Sequence, residues 1–180
     1  MTEHRPAWDE LFRGYRQRQA DKEREEQRKQ ELAAWHQAQT LHVMELVREV
    51  ALERARQFEQ QTGSRIEVRW PSRPPINVTP EGPFMSFLSL GMGPREVHMY
   101  SHRVTHEAPT LHYVITGSAG HGMGQKRVHG RPGCKIEARA GGGFLLRDLA
   151  PPRGTEGGEL GVEDLTFRAF ESLLCGPPND

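Results

Sequence analysis

The longest uninterrupted segment of this chain is residues 7–62, which contain no proline and only one glycine, Gly14. Because proline and glycine are the residues that disfavour a helix most strongly, the segment predicts one long helix, or two helices in line. At 1.5 Å per residue it would be roughly 80 Å long, whereas a compact domain of this size has a radius of gyration of about 16 Å. Part of the helix must therefore project, fold back, or pair with another chain.

The long segment divides into three parts by the character of its side chains. Apolar residues recur at helical spacing near its start, which predicts a partner-binding cluster formed by Trp8, Leu11, Phe12 and Tyr15. Residues 16–31 alternate acidic and basic side chains and have no apolar face to bury. Residues 32–62 again place apolar side chains on one face at the 3.6-residue period, so we expect this last part to pack on a core.

After Gly63 the hydrophobic period changes from 3.6 to two, which is typical of strands. Glycine and proline turns separate the candidate strands, and an apolar stripe at residues 162–174 predicts an amphipathic C-terminal helix. The sequence thus predicts an α+β fold with a long N-terminal helix, an antiparallel β-meander of about five to six strands, and a C-terminal helix packed on one sheet face. The strands are predicted over residues 64–70, 84–92, 95–104, 110–116, 134–139 and 144–149, with a short edge strand at 76–78. Asp148, in the last of these strands, is expected to pair with Arg147 or with an arginine of a neighbouring strand.

Two units follow from this pattern. We expect residues 1–31 to form a polar helical arm that projects or folds back, and residues 32–180 to form a single α+β domain. No run of about 18 apolar residues is present, and the first residues lack the apolar segment of a secretory signal. The two cysteines, Cys134 and Cys175, are too few for a disulfide framework. We therefore expect a cytoplasmic protein with no membrane partner.

The formal net charge is zero, but the charges are unevenly distributed. Residues 63–150 carry 11 basic and 6 acidic groups, whereas residues 151–180 carry 2 basic and 6 acidic groups, so we expect these regions to face one another. A nucleic-acid surface usually shows stronger basic clustering, which argues against a nucleic-acid partner. If one existed, its contacts would come from Arg127, Arg131, Lys135 and Arg139.

Six of the nine histidines lie between His98 and His129. A hairpin turning symmetrically near Glu107 would put His112 opposite His102, with Cβ atoms about 5 Å apart. His98 and His102 are about 13 Å apart along an extended strand, so they cannot both reach one ion. We treat His98, His102 and His112 as a candidate ligand or metal site on the sheet face. No zinc-binding spacing is present, so the sequence predicts no metal.

The glycine-rich segment 117–133 does not have the pattern of a phosphate-binding loop. Gly117 and Gly122 have the required separation, but Met123 stands where such a loop needs lysine. We therefore expect no nucleotide cofactor, and interpret the segment as a ligand- or partner-contacting loop or a weakly paired ribbon. Neither cysteine nor any serine has the sequence context of a nucleophile, so no catalytic residue is assigned.

Two functions from different classes remain. The first is a non-enzymatic protein-interaction or assembly module that uses its N-terminal helix, as a homodimer or with another protein. The second is a small enzyme or ligand- or metal-binding protein, with the histidines of the sheet face as its site and segment 117–133 as a lid. The sequence favours binding over catalysis, because the arm carries most of its distinctive features.

Overall fold

The computed structural model describes residues 5–70, 84–102, 110–118, 125–127, 131–149 and 157–175. The predicted α+β class is confirmed: along the chain, a long N-terminal helix precedes a series of antiparallel strands, and a C-terminal helix follows them. The helices are α1 (Arg5–Thr62) and α2 (Val162–Cys175). The strands are β1 (Glu67–Arg69), β2 (Phe84–Met92), β3 (Arg95–His102), β4 (Thr110–Ser118), β5 (Gln125–Arg127), β6 (Arg131–Ala138), β7 (Phe144–Asp148) and β8 (Glu159–Leu160).

All neighbouring strands pair antiparallel, in the order β1-β2-β3-β4-β6-β7-β8, and β5 also pairs with β4. The strands β1, β2, β3, β4, β6 and β7 correspond to the six predicted strands of the meander, to which the short strands β5 and β8 are added. The predicted edge strand at 76–78 lies outside the described residues. Within the described ranges, neither helix combines the length and the apolar character that crossing a membrane requires.

α1 is one unbroken helix that passes through Gly14. It ends at Thr62, where Gly63 takes a positive φ of 72° and donates its backbone N–H to the carbonyl oxygen of Glu59 at 2.8 Å. A residue without Cβ adopts this left-handed conformation at little cost, so Gly63 is the stop signal that the sequence predicts. The division into an arm and a domain near residue 31 stays a prediction.

The core lies between the two helices and one face of the sheet. The apolar face of α1 is buried from His36 to Ala55, and the apolar face of α2 packs beside it. Alternate residues of β2 and β3 complete the layer, because successive side chains of a strand point to opposite faces. The largest fully buried apolar side chains of this core are Val43, Met44, Val47, Leu88, Val97, Met99, Ile136, Leu165 and Leu173.

One ion pair connects α2 to the sheet. Arg168 on α2 donates two hydrogen bonds to the carboxylate of Asp148 at the end of β7, at 2.8 and 2.6 Å. The sequence suggested Arg147 or an arginine of a neighbouring strand as the partner of Asp148, and that expectation is wrong. Arg147 instead binds Glu137 across the β6–β7 ladder at 2.9 Å, because adjacent residues of a strand point to opposite faces.

We expect Asp148→Ala to lower the free energy of unfolding by about 2–3 kcal/mol, because it leaves a partly buried guanidinium without its carboxylate. Glu137→Ala is the matched control, since it removes a carboxylate from the more exposed pair with Arg147 and should cost less than about 1 kcal/mol. Urea unfolding of both variants measures the difference. Equal losses would show that the Asp148–Arg168 pair is not the stronger contact.

Candidate functional site

Four large apolar side chains are exposed on one face of α1 near its N-terminus. Trp8, Leu11, Phe12 and Tyr15, here called the tip cluster, are 56, 52, 54 and 57 % exposed. The rings of Trp8 and Phe12, one helical turn apart, contact each other with centroids 5.8 Å apart. An exposed apolar group of this kind, surrounded by charged residues, is typical of a surface that binds another molecule.

The helix between the tip cluster and the core, residues 16–31, is stabilised by contacts within itself. Lys29 lies 2.9 Å from Glu25, and Arg24 lies 3.4 Å from Asp21. Pairs three or four residues apart stabilise an isolated helix by a few tenths of a kcal/mol each. Side-chain positions 21–31 are all exposed, so this spacer holds the tip cluster away from the core without burying a face of its own.

A groove of about 250 Å³ runs between α1 and α2 on the side away from the sheet core. Its floor and walls are largely apolar, with Phe58 from α1 and Phe170 and Leu174 from α2. Phe167 stands at its edge with 66 % of its surface exposed, the highest value among the large apolar residues that the structure describes. We call this feature the helix groove.

The helix groove carries charged residues at its edge. Arg54 on α1 donates hydrogen bonds to both carboxylate oxygens of Glu163 on α2, at 3.0 and 3.1 Å. Both side chains are more than 40 % exposed, so the pair contributes little stability, and α2 is held against α1 by their apolar contacts. Sequence reasoning did not identify this groove. The only signal for it was Phe167, an aromatic residue that falls outside the predicted apolar face of α2.

A second candidate site lies on the sheet face opposite the helices. Nη1 of Arg69 lies 2.8 Å from Oε1 of Glu96, and Oε2 of Glu96 lies 3.1 Å from Nε2 of His98. A Cβ atom at Gly91 would lie 3.4 Å from the Arg69 guanidinium, so glycine leaves room for this chain of contacts. Ser89, on the strand opposite His98, is 1 % exposed, and His98 is 4 % exposed.

Of the three candidate histidines, His98 is the one whose side chain the structure describes, and it belongs to this network. In the β3–β4 register His112 is opposite Tyr100, so the expected His102–His112 pairing is wrong by two residues. The side chains of His102 and His112 lie outside the described part of the chain, as does the expected turn at Glu107. Whether the three histidines form one site therefore stays a prediction, and so does the lid at 117–133, of which only the ends and β5 are described.

Burial lowers the pKa of His98 below its ordinary value of 6.5, and the contact with the Glu96 carboxylate opposes this only in part. The ring is therefore neutral at pH 7. Because Nε2 faces a carboxylate, the proton of the neutral ring resides on Nε2. In this arrangement Glu96 orients the imidazole and Arg69 balances the carboxylate charge.

We expect the stability difference between wild type and His98→Gln to change with pH. The folded state resists protonation of His98, whereas the unfolded chain takes up that proton near pH 6.5, so the wild type loses stability as pH falls below about 6.5. Thermal unfolding between pH 8 and 5 should show a shallower decline for His98→Gln. The control His42→Gln, at an exposed position on α1, should follow the wild type. Parallel curves for all three proteins would contradict the assignment.

The described residues contain no group of three histidine, cysteine, aspartate or glutamate side chains that could hold a metal ion. Two of the basic residues considered for nucleic acid have acidic neighbours: Lys135 lies 3.3 Å from Glu137, and Arg139 lies 3.3 Å from Glu159. The second of these pairs joins the basic middle of the chain to its acidic end, as expected. The side chains of Arg127 and Arg131 lie outside the described residues.

The two cysteines are both free thiols in different environments. Cys134 is buried in the core, and burial, reinforced by the nearby carboxylate of Asp148, raises its pKa to about 12. A thiol with such a pKa is protonated at neutral pH and is a poor nucleophile. Cys175, at the end of α2, is exposed.

We expect one fast-reacting thiol per folded chain. An aromatic disulfide reagent at pH 8 should modify Cys175 within minutes and Cys134 only on unfolding, because Cys134 is both buried and protonated. A Cys175→Ser variant should therefore show no fast reaction until denaturant is added. Rapid modification of that folded variant would mean that Cys134 is accessible.

No protein-family model, curated protein or solved structure matches this chain. Its function is therefore inferred from the contacts and surfaces of its own residues.

Proposed function

We propose that this chain is a non-enzymatic interaction module that self-associates, as a homodimer, through the N-terminal part of α1. The observation that carries the proposal is the tip cluster: four large apolar side chains, each more than half exposed, on one face of a helix. Burial of apolar surface is the main favourable term in most protein association. Trp and Tyr are also the residue types that contribute most often to the centre of interfaces.

The spacer supports this function because it separates binding from folding. Its charged side chains satisfy one another along the helix, as in the Lys29–Glu25 and Arg24–Asp21 pairs. The core at His36–Ala55 therefore forms without the tip cluster, and the tip cluster stays available for a second molecule. The spacer carries nearly balanced charges, so two such helices can approach each other without strong net repulsion.

A second candidate function is ligand binding or catalysis at the His98 site. The observation that favours it is the chain of contacts from Arg69 through Glu96 to His98, since a carboxylate that orients an imidazole occurs in many functional sites. His98 is only 4 % exposed, so a ligand would reach the ring only after the groups that cover it moved. For this reason we place the interaction function first.

The proposal includes a cytoplasmic location. Two free cysteines and no disulfide between them fit a reducing compartment.

Replacing Leu11 and Phe12 together by glutamate should convert the dimer to a monomer. Glutamate is a good helix former, so α1 is retained while charge replaces apolar contact. Light scattering coupled to size-exclusion chromatography of the full chain measures the mass, and circular dichroism verifies that helix content is unchanged.

The matched control is Leu41→Glu, which changes an exposed leucine on the same helix outside the tip cluster and should leave the dimer intact. A wild-type protein that is monomeric at high micromolar concentration would refute self-association. Dimers that persist in the double variant would show that the tip cluster is not the contact.

A further inference from the structure

The exposed large apolar residues of this structure are not scattered at random. Eight are present among the described residues. Four form the tip cluster, one lies at the edge of the helix groove, and one lies on α1 about midway between the tip cluster and the groove. The edge residue is Phe167 and the midway residue is Leu32. The two that lie elsewhere are Leu41 and Leu149.

We propose that the tip cluster of one chain occupies the helix groove of a second copy, and that the second copy does the same in return. This inference rests on the proposed self-association and names the surface that receives the tip cluster. It makes the dimer closed and two-fold symmetric, because the same two surfaces of each chain are used.

The spacing along α1 fits this arrangement. The tip cluster is centred near residue 12, and the residues by which α1 lines the groove, from Val50 to Gln61, are centred near residue 56. The separation is therefore about 65 Å at 1.5 Å per residue. Two α1 helices that lie antiparallel and side by side bring the tip cluster of each chain to the groove of the other if they cross midway, near residue 34. Leu32, 41 % exposed, lies at that crossing point and can contact its counterpart there.

The directions in which the tip cluster and the groove-lining residues project from α1 also fit this arrangement. At about 100° per residue, the mean direction of the tip cluster differs from that of the groove-lining residues Val50, Arg54, Gln57, Phe58 and Gln61 by roughly 90° around the helix axis. When two helices wind around each other with a left-handed twist, their line of contact moves around each helix by about 20° per seven residues. Between the tip cluster and the groove it moves by roughly 120°, in the same direction as the roughly 90° offset between the two sets of side chains. The α1 residues that line the groove of each chain therefore face the second helix at the level of that helix's tip cluster.

The buried area favours two reciprocal contacts over one. The exposed halves of the four tip side chains amount to roughly 400 Å², since large aromatic residues bury 150–250 Å² when fully covered. One tip in one groove would bury about 800 Å² over both surfaces, which is the size of a weak encounter. Two such contacts bury about 1,600 Å², the area of an ordinary stable interface. A groove of about 250 Å³ has room for one or two aromatic rings, so the other tip side chains would be covered along its edge, where Phe167 lies.

The Phe167→Glu variant tests whether the groove receives the tip cluster. Analytical ultracentrifugation of the full chain measures the dissociation constant of its dimer. Phe167 is 66 % exposed, so the substitution should leave folding intact while the dissociation constant rises at least tenfold. Leu149→Glu, at an exposed apolar position away from both surfaces, should leave it unchanged.

The outcomes separate this inference from the proposed function. If the Leu11/Phe12 double variant is monomeric while Phe167→Glu dimerises as strongly as wild type, self-association stands and the groove is overturned as its receiving surface. A monomeric wild type overturns both, and a different protein would then be the partner of the tip cluster.

A second measurement does not depend on the folding of a groove variant. Phe12 is replaced by the photoreactive aromatic residue p-benzoylphenylalanine, the full-length protein is irradiated, and cross-linked dimers are digested and analysed by mass spectrometry. We expect cross-links from position 12 to the α2 peptide that contains Phe167 and to the α1 segment 50–61 that lines the groove, both from the second chain. Cross-links exclusively to residues 8–15 of the second chain would mean that the two tips bind each other, and would overturn the proposal.

Discussion

The burial of one face of α1 against the sheet determines most of this structure. Val43, Met44 and Val47 are 1 % exposed or less and contact strands from across the sheet, and farther along α1 Ala51 and Ala55 pack beside α2. About five helical turns are fixed in this way. Because a helix is stiff over its length, fixing these turns also sets the direction of residues 8–31, which make no comparable contact. The position of the tip cluster is thus a consequence of core packing some 50 Å away.

The sequence predicted those elements whose signal is local. The absence of proline over residues 7–62 identified α1, and the 3.6-residue period identified α2, each within two residues at either end; the bounds of β2 agree with the prediction. Contacts between distant segments were not predictable in this way. The partner of Asp148 proved to be Arg168 on α2, and the His112 register depends on a turn whose geometry the residues around Glu107 did not specify. The helix groove was missed for the same reason, since neither helix alone indicates that the other lies beside it.

The two faces of the central strands are buried in chemically different ways. Toward the helices, Leu88, Leu90 and Met99 form an apolar layer of the usual kind. On the opposite face, Ser89 and His98 are nearly inaccessible although both are polar. Burying a polar group costs free energy unless it is hydrogen-bonded, which explains why Glu96 and Arg69 are positioned beside the histidine. The buried polar side chains therefore lie on this face of the sheet, whereas most of the exposed apolar side chains lie on α1 and α2.

Because the helix between the tip cluster and the core is unbroken, the length of the spacer determines the direction in which the tip cluster points. Each residue added to or removed from the spacer shifts the tip cluster by about 1.5 Å and also rotates it by about 100° around the axis. A change of seven residues nearly restores the original direction, whereas a change of two turns the aromatic side chains to the opposite side. The length of residues 16–31 is therefore constrained even though their side chains are individually replaceable. Related chains would be expected to tolerate substitutions in this segment far more readily than insertions or deletions that are not close to whole heptads.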